Sequence, residues 1–270
     1  MKIAALIRAY HRPEQLALLL DRLEGDLWAP FVHIDRKADI SQFDACRAKA
    51  VFLTDRVQVN WGGLSQVEAA MRLLRAAIAD PAVTHFYLMS GECYPVKSDA
   101  QIRARIESFP PGSANLMELT AMPVSHKPIE RYTRRWLHDV RNPFAWRILR
   151  RLFPRLPDRS LAGLRGIHLH GGGAWWLFER QAIEAFLRFI DGNRWYWRSF
   201  RYTDCPDEMM LHSLVAPLGI RIGGDSPTAD TWIQGKAHPE TVTAAMHRDF
   251  TEGPALFGRK YVTFHPALAT

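Results

Sequence analysis

Residues 3–35 read IAALIRAYHRPEQLALLLDRLEGDLWAPFVHID, and this stretch decides the fold class. Ile3 to Ile7 is a short continuous apolar run, the pattern of a buried strand. Pro13 then opens a helix with Leu16, Leu19, Leu20 and Leu23 on one face. Ala29 to Ile34 forms a second strand, ending in His33-Ile34-Asp35. Further out, Val51 to Leu53 and Val57 to Val59 are short extended candidates. Ser65 to Ala79 is the clearest helix: Leu64, Val67, Met71, Leu74 and Ile78 recur at three- and four-residue spacing, and Ser65 with Glu68 fits a capping box. His85 to Met89 is a third buried strand. Strand, helix, strand, helix, strand predicts an α/β fold, a mostly parallel central sheet flanked by helices on both faces. In such sheets ligands sit beyond the carboxyl ends of the strands. Asp35, Asn60-Trp61-Gly62-Gly63 and Ser90-Gly91-Glu92 all fall there.

The second half is less regular. Asn115 to Thr120 reads as a candidate strand. Gly171-Gly172-Gly173 precedes a short strand from Ala174 to Phe178, and a helix from Arg180 to Phe189 follows. Cys205 to Leu218 reads as another helix, with Pro206 near its first position. Arg131 to Arg165 holds ten Arg and two Asp, with Trp136 and Trp146 interleaved. No repeat or low-complexity linker divides the 270 residues, so one domain is expected.

Composition excludes several classes. A 47% hydrophobic, 23% charged chain is neither disordered nor fibrous. The opening residues are broken by Arg8, His11 and Arg12 and do not form a signal peptide. No run approaches the roughly 18 apolar residues of a membrane span. Cys46, Cys93 and Cys205 are scattered and odd in number, which fits a reducing compartment. The expected location is therefore the cytoplasm, with the inner face of the membrane as a place of action. Nine Trp and a net charge of +7 are the unusual entries in the composition.

A Walker phosphate loop, a GxGxxG dinucleotide turn and a GxSxG elbow are absent. His168 and His170 would share one strand face, half of a metal site without an evident third ligand. The Asp-x-Asp pattern of many sugar-nucleotide enzymes is missing too. Such an enzyme would have to neutralise its leaving diphosphate with Arg or Lys. Arg259-Lys260 is the most suggestive pair, although composition alone favours a surface role for it. Asp204, Asp207 and Glu208 cluster at a predicted helix start. They either complement the helix dipole or supply a general base that the dipole keeps ionised.

Read in order, six motifs resemble one family. They are His33-Ile34-Asp35-Arg36-Lys37, Val59-Asn60-Trp61-Gly62-Gly63-Leu64-Ser65-Gln66-Val67, and the run from Tyr87 to Ser98 containing Ser90-Gly91-Glu92-Cys93-Tyr94-Pro95. Gly173-Ala174-Trp175-Trp176-Leu177 with Arg180, Pro206-Asp207-Glu208, and Leu256-Phe257-Gly258-Arg259-Lys260 complete the series. Together they resemble the core-2/I-branching β-1,6-N-acetylglucosaminyltransferases and peptide O-xylosyltransferases, glycosyltransferase family 14, over roughly residues 1 to 262. The resemblance implies a GT-A-like fold, with a nucleotide-binding half over residues 1–110 and an acceptor-binding and catalytic half over 111–270. It implies inverting transfer from a UDP-sugar, GlcNAc or xylose, to a hydroxyl of a glycan or glycoconjugate, without cofactor or metal. Glu208 would be the catalytic base. Asp35, Asn60, Trp61, Gly62, Ser90, Gly91, Arg259 and Lys260 would bind the donor, and Glu118, Arg131, Trp175 and Trp176 the acceptor. Because adjacent strand residues point opposite ways, one Trp would face the site and the other the core. The resemblance also implies a second phosphate-binding cation near Thr228, which is not basic, so either Arg259 or Arg221 substitutes or the register of the match differs there. Cys93 stands where members commonly have Asp and receives no role.

Three other readings compete. One is a transferase of the same fold with another nucleotide-sugar donor. A basic, Trp-containing stretch also suits nucleic acid, although no recognised nucleic-acid-binding pattern is present. A relative that binds carbohydrate without catalysis would keep the same fold. The Arg131–Arg165 segment itself is expected to face anionic lipid at a membrane surface or an acidic glycan. Synthesis of a surface polysaccharide or glycoconjugate is the expected setting.

Overall fold

The computed structural model describes residues 1–233 and 238–262. The chain begins with β1 (Ile3–Ala9), α1 (Pro13–Arg22), β2 (Trp28–Ile34), β3 (Val51–Phe52), α2 (Ser65–Ile78) and β4 (His85–Ser90). It continues through β5 (Tyr94–Pro95), α3 (Asp99–Glu107), β6 (Thr120–Ala121), α4 (Glu130–Thr133), α5 (Pro143–Leu152) and β7 (His170–Gly171). The last described elements are β8 (Leu177–Glu179), α6 (Arg180–Gly192), α7 (Arg194–Ser199), β9 (Thr228–Ala229), α8 (Ala244–Glu252) and β10 (Phe257–Gly258).

The central sheet has the order β3-β2-β1-β4-β8, parallel except for β8, which runs antiparallel to β4. Alternation along β1 sorts its side chains between two layers. Ile3, Ala5 and Ile7 pack with Leu16, Leu19 and Leu20 of α1, whereas Ala4 and Leu6 pack with Val67, Met71 and Leu74 of α2. Both faces of the sheet are therefore covered, which is why β1 and β4 read as nearly unbroken apolar runs. Register places Arg8 between His33 and Ser90, so the carboxyl ends of β1, β2 and β4 finish side by side.

A second, three-stranded sheet has the order β5-β10-β9. In it β10 runs antiparallel to β5, which carries residues 259–260 back to the turn after β4. The Tyr261 N–H donates to the Glu92 carbonyl and fixes that return.

Several local expectations are corrected. Cys205–Leu218 is not an α-helix but a series of tight turns, with 3₁₀ segments at Pro206–Glu208 and His212–Leu214. Cys205 enters with positive φ and Met209 leaves the helical region, so no continuous i→i−4 ladder forms. Asn115–Thr120 contributes only bridges at Leu116 and the start of β6. The strand expected over Ala174–Phe178 runs from Leu177 to Glu179, and Val57–Val59 is a loop. Ser65 and Glu68 do not form a capping box. The Ser65 hydroxyl instead donates to Asp139 and accepts from Asn60 N–H, while Asp139 Oδ2 accepts the Ser65 N–H at 2.9 Å. The cap of α2 thus comes from a residue 74 positions away, which local sequence cannot show.

Candidate active site

The strand ends hold the expected donor residues. Asp35 is buried just after β2, its carboxylate accepting the N–H groups of Lys37 and Val59. Asn60 donates from its amide to Asp139. Trp61 is exposed, its ring edge-on to His138. Gly62 has φ of 72°, and a Cβ there would lie 2.9 Å from His138 Nε2, so the turn needs glycine on both counts. The Gly62 carbonyl accepts from the Cys205 N–H, docking the Pro206–Glu208 turn onto this loop. After β4, Gly91 N–H bonds the Arg8 carbonyl, and Ser90 Oγ accepts the Glu92 N–H.

Glu92 gathers basic side chains. Lys260 Nζ lies 3.1 Å from Glu92 Oε2, and Arg12 and His11 approach Oε1. Arg259 is 3.8 Å from Asp230 and stacks over Trp175 at 4.7 Å, while its Nε is buried without a hydrogen-bond partner. Arg8 also lies over the Trp175 ring, 5.1 Å from the centroid. Arg8 continues to Asp207 at 3.5 Å, and Gln66 donates to the same carboxylate oxygen at 3.0 Å. Burial pushes the Asp207 carboxyl up to about 6 despite Arg8, and burial lowers Arg8. A buried ion pair whose two members both shift toward neutrality is costly, as desolvation of both charges predicts.

Glu208 adjoins Asp207 in the chain and is clasped by Arg131 at 2.7 Å and Lys127 at 3.0 Å, both on Oε2. Burial would raise its pKa, but Lys127 and Arg131 outweigh that and hold it below the usual carboxylate value. Glu208 is thus kept ionised by two named cations. The helix-dipole account is withdrawn, because one 3₁₀ turn carries no appreciable dipole. Glu118 accepts the Gly173 N–H at 2.7 Å. Its backbone carbonyl lies so close to Gly172 that a Cβ there would be 1.8 Å away. Asp230 feels both Glu118 and Glu208 electrostatically, which puts the three carboxylates in one neighbourhood.

Of the two tryptophans assigned to the acceptor, one lies in the core. Trp176 is 1% exposed and packs in the core against Phe178, so it offers no face to an acceptor; only Trp175 reaches the site. Arg221 donates to the Pro111 carbonyl at 2.7 Å. His168 and His170 gain no third ligand: among the described residues no three His, Cys, Asp or Glu are grouped to hold a metal ion. Arg8, Lys127 and the Tyr10–His11 stack (centroids 3.9 Å apart) join the neighbourhood without a sequence signal. Arg8 carried one weak clue, a cation at the end of an otherwise apolar strand.

A family profile described as Core-2/I-Branching enzyme matches residues 27–253. No curated protein matches the chain significantly. Among solved structures, a 4-diphosphocytidyl-2C-methyl-D-erythritol synthase is similar at 11% identity and TM-score 0.39, with 93% of this chain and 99% of that chain covered. The apo form of mouse xyloside xylosyltransferase 1 is similar at 9% identity and TM-score 0.43, with 95% and 96% covered. At these TM-scores neither likeness bears on the chemistry.

Proposed function

The chain belongs to the Core-2/I-branching enzyme family and is a glycosyltransferase, and from that premise we propose inverting transfer of GlcNAc or xylose from a UDP-sugar to an acceptor hydroxyl, with Glu208 as base. The reading is supported by one continuous line of contacts. It runs from Asp207, next to Glu208 in the chain, to Arg8, by way of Trp175 to Arg259, and ends at Lys260, the next residue in the chain. A carboxylate stands at one end and cations at the other, as a single displacement requires.

In this mechanism Glu208 takes the proton of the acceptor hydroxyl. The hydroxyl oxygen bonds to the anomeric carbon while the bond to the diphosphate breaks, its electron pair leaving with UDP. Both cations hold Oε2, which leaves Oε1 as the oxygen assigned to the acceptor proton. Arg259, Lys260 and Arg8 meet the developing diphosphate charge. The unpartnered Arg259 Nε supports this role, since a buried unsatisfied donor costs about 1–3 kcal/mol that a phosphate oxygen would relieve. Arg8 fills the place of the second basic residue missing near Thr228. Glu118 and Trp175 line the acceptor side, and Arg131 serves it through Glu208. The 1–110 half then supplies the nucleotide-binding strand ends, and the 111–270 half supplies the acceptor side, the base and the two diphosphate cations Arg259 and Lys260.

Replacing Glu208 with Gln tests the proposal. Transfer should fall by about 100-fold or more, as for loss of a general base, while calorimetric UDP affinity persists. Undiminished transfer would remove Glu208 from the chemistry. Chelation by EDTA should leave transfer intact; loss that manganese restores would overturn the metal-free reading.

A further inference from the structure

The ten arginines between 131 and 165 do not form one patch. Arg131 clasps Glu208, Arg141 bonds the Gln58 carbonyl, Arg159 lies over Tyr132 and bonds the Arg201 carbonyl, and Arg165 lies over Trp195. The arginines of α5 behave differently. Arg147 and Arg151 are exposed and make no ion pair among the described residues, and Arg150 stacks only on neighbouring Trp146.

α5, Pro143 to Leu152, has no buried residue. Its formation is local: Asn142 accepts the N–H groups of Phe144 and Ala145, Pro143 sits at the first turn, and Arg150 and Arg151 complement the last. Ala145, Leu149 and the following Phe153 are half-buried, Phe153 against Tyr202, and seat one edge on the protein. Phe144, Ile148 and Leu152 recur every four residues as a second apolar stripe that nothing covers, 73%, 48% and 44% exposed. Arg147 and Arg151 recur beside it. No acidic residue occurs from Pro143 to Pro157.

We propose that α5 docks the enzyme on an anionic phospholipid surface, with Phe144, Ile148 and Leu152 entering the headgroup boundary and Arg147, Arg150 and Arg151 on the lipid phosphates. Charge complementarity selects this partner, because the helix presents only cations and apolar groups. A soluble polyanion such as nucleic acid uses the cations and leaves the apolar stripe in water. Among the described residues no helix is long and apolar enough to cross a membrane, so the attachment is peripheral. The proposal is independent of the sugar and of catalysis.

Vesicle co-sedimentation of the full chain tests it, using phosphatidylcholine alone and phosphatidylcholine mixed with phosphatidylglycerol. Binding should require phosphatidylglycerol. F144S/I148S/L152S should weaken it by about tenfold or more, and each of R147A and R151A by about fivefold. Calorimetric UDP affinity, unchanged in all variants, shows that they fold. Absence of binding to the mixed vesicles would overturn the proposal. So would equal binding by the triple Ser variant, or displacement of both proteins alike by heparin, which marks a soluble-polyanion site.

Discussion

At the residue scale, Arg8 is the most informative side chain of the site. It occupies an even position of β1, on the α2 side, two residues beyond the packed Leu6. There it meets Asp207 and Trp175. Arg8→Ala should weaken donor binding by about tenfold or more, the value of one charged hydrogen bond. It should also destabilise the protein by about 3–5 kcal/mol, because Asp207 is left as a buried charge without its partner. Asp207→Asn in that background should restore part of the stability and none of the donor affinity, readable in a double-mutant cycle of urea midpoints and UDP titrations. Full additivity of the two stability losses would dissolve the pair. Lys260→Ala should weaken UDP binding without a comparable stability loss, since its partner Glu92 keeps Arg12. Glu208 itself was legible, through the Pro206-Asp207-Glu208 motif. Its clasp was not, because Lys127 and Arg131 lie 81 and 77 positions away.

At the scale of elements, periodicity carried the reading where a face is buried. The stripes of α1 and α2 and the apolar runs of β1, β2 and β4 all have one or both faces against core, and each was recognised within a few residues. The 205–218 segment misled because its apolar residues are buried on all sides: Met209, Met210, Leu214 and Val215 are all in the core, so spacing could not separate helix from stacked turns. The cap of α2 gives a prediction at this scale. Asp139→Ala removes the acceptor of the Ser65 N–H, the Ser65 hydroxyl and the Asn60 amide. A loss of about 1–2 kcal/mol follows, as for an N-cap. Thermal denaturation should show it, and Glu68→Ala should have little effect because no capping box depends on it.

For the whole molecule, pH dependence sums over buried groups. Burial lowers His33, His85 and His212 each to about 4, and His33 serves as a neutral acceptor for the Val57 N–H. Unfolded histidines titrate near 6.5. Their stabilisation is therefore complete above pH 6.5 and is lost as pH falls toward 4. Asp207, raised to about 6, acts in the opposite sense: its stabilisation is present at low pH and is lost as pH rises through 6. Near pH 5 the unfolded chain holds three histidine protons that the native state lacks, against one held by native Asp207. For these four groups the net of two makes stability fall with decreasing pH by about 2.7 kcal/mol per pH unit, and His11 and His247, also lowered by burial, act in the same sense. Urea midpoints between pH 7 and pH 5 should decline accordingly; a flat profile would mean that the histidines are not held neutral.

The sequence by itself determined the fold class and the order of the strand-end motifs, because hydrophobic period and turn residues are properties of neighbours in the chain. It also determined which segment is rich in arginine. Only the tertiary structure decided what those residues do. Strand register brought Arg8 beside Ser90, the small sheet carried Arg259 and Lys260 to Trp175 and Glu92, and packing sent Trp176 to the core while Trp175 met two guanidinium groups. The same packing divided the arginines into those that clasp Glu208 or cover aromatic rings and those left on α5. Partners far apart in sequence are chosen by burial and charge in three dimensions, and no local pattern records that choice.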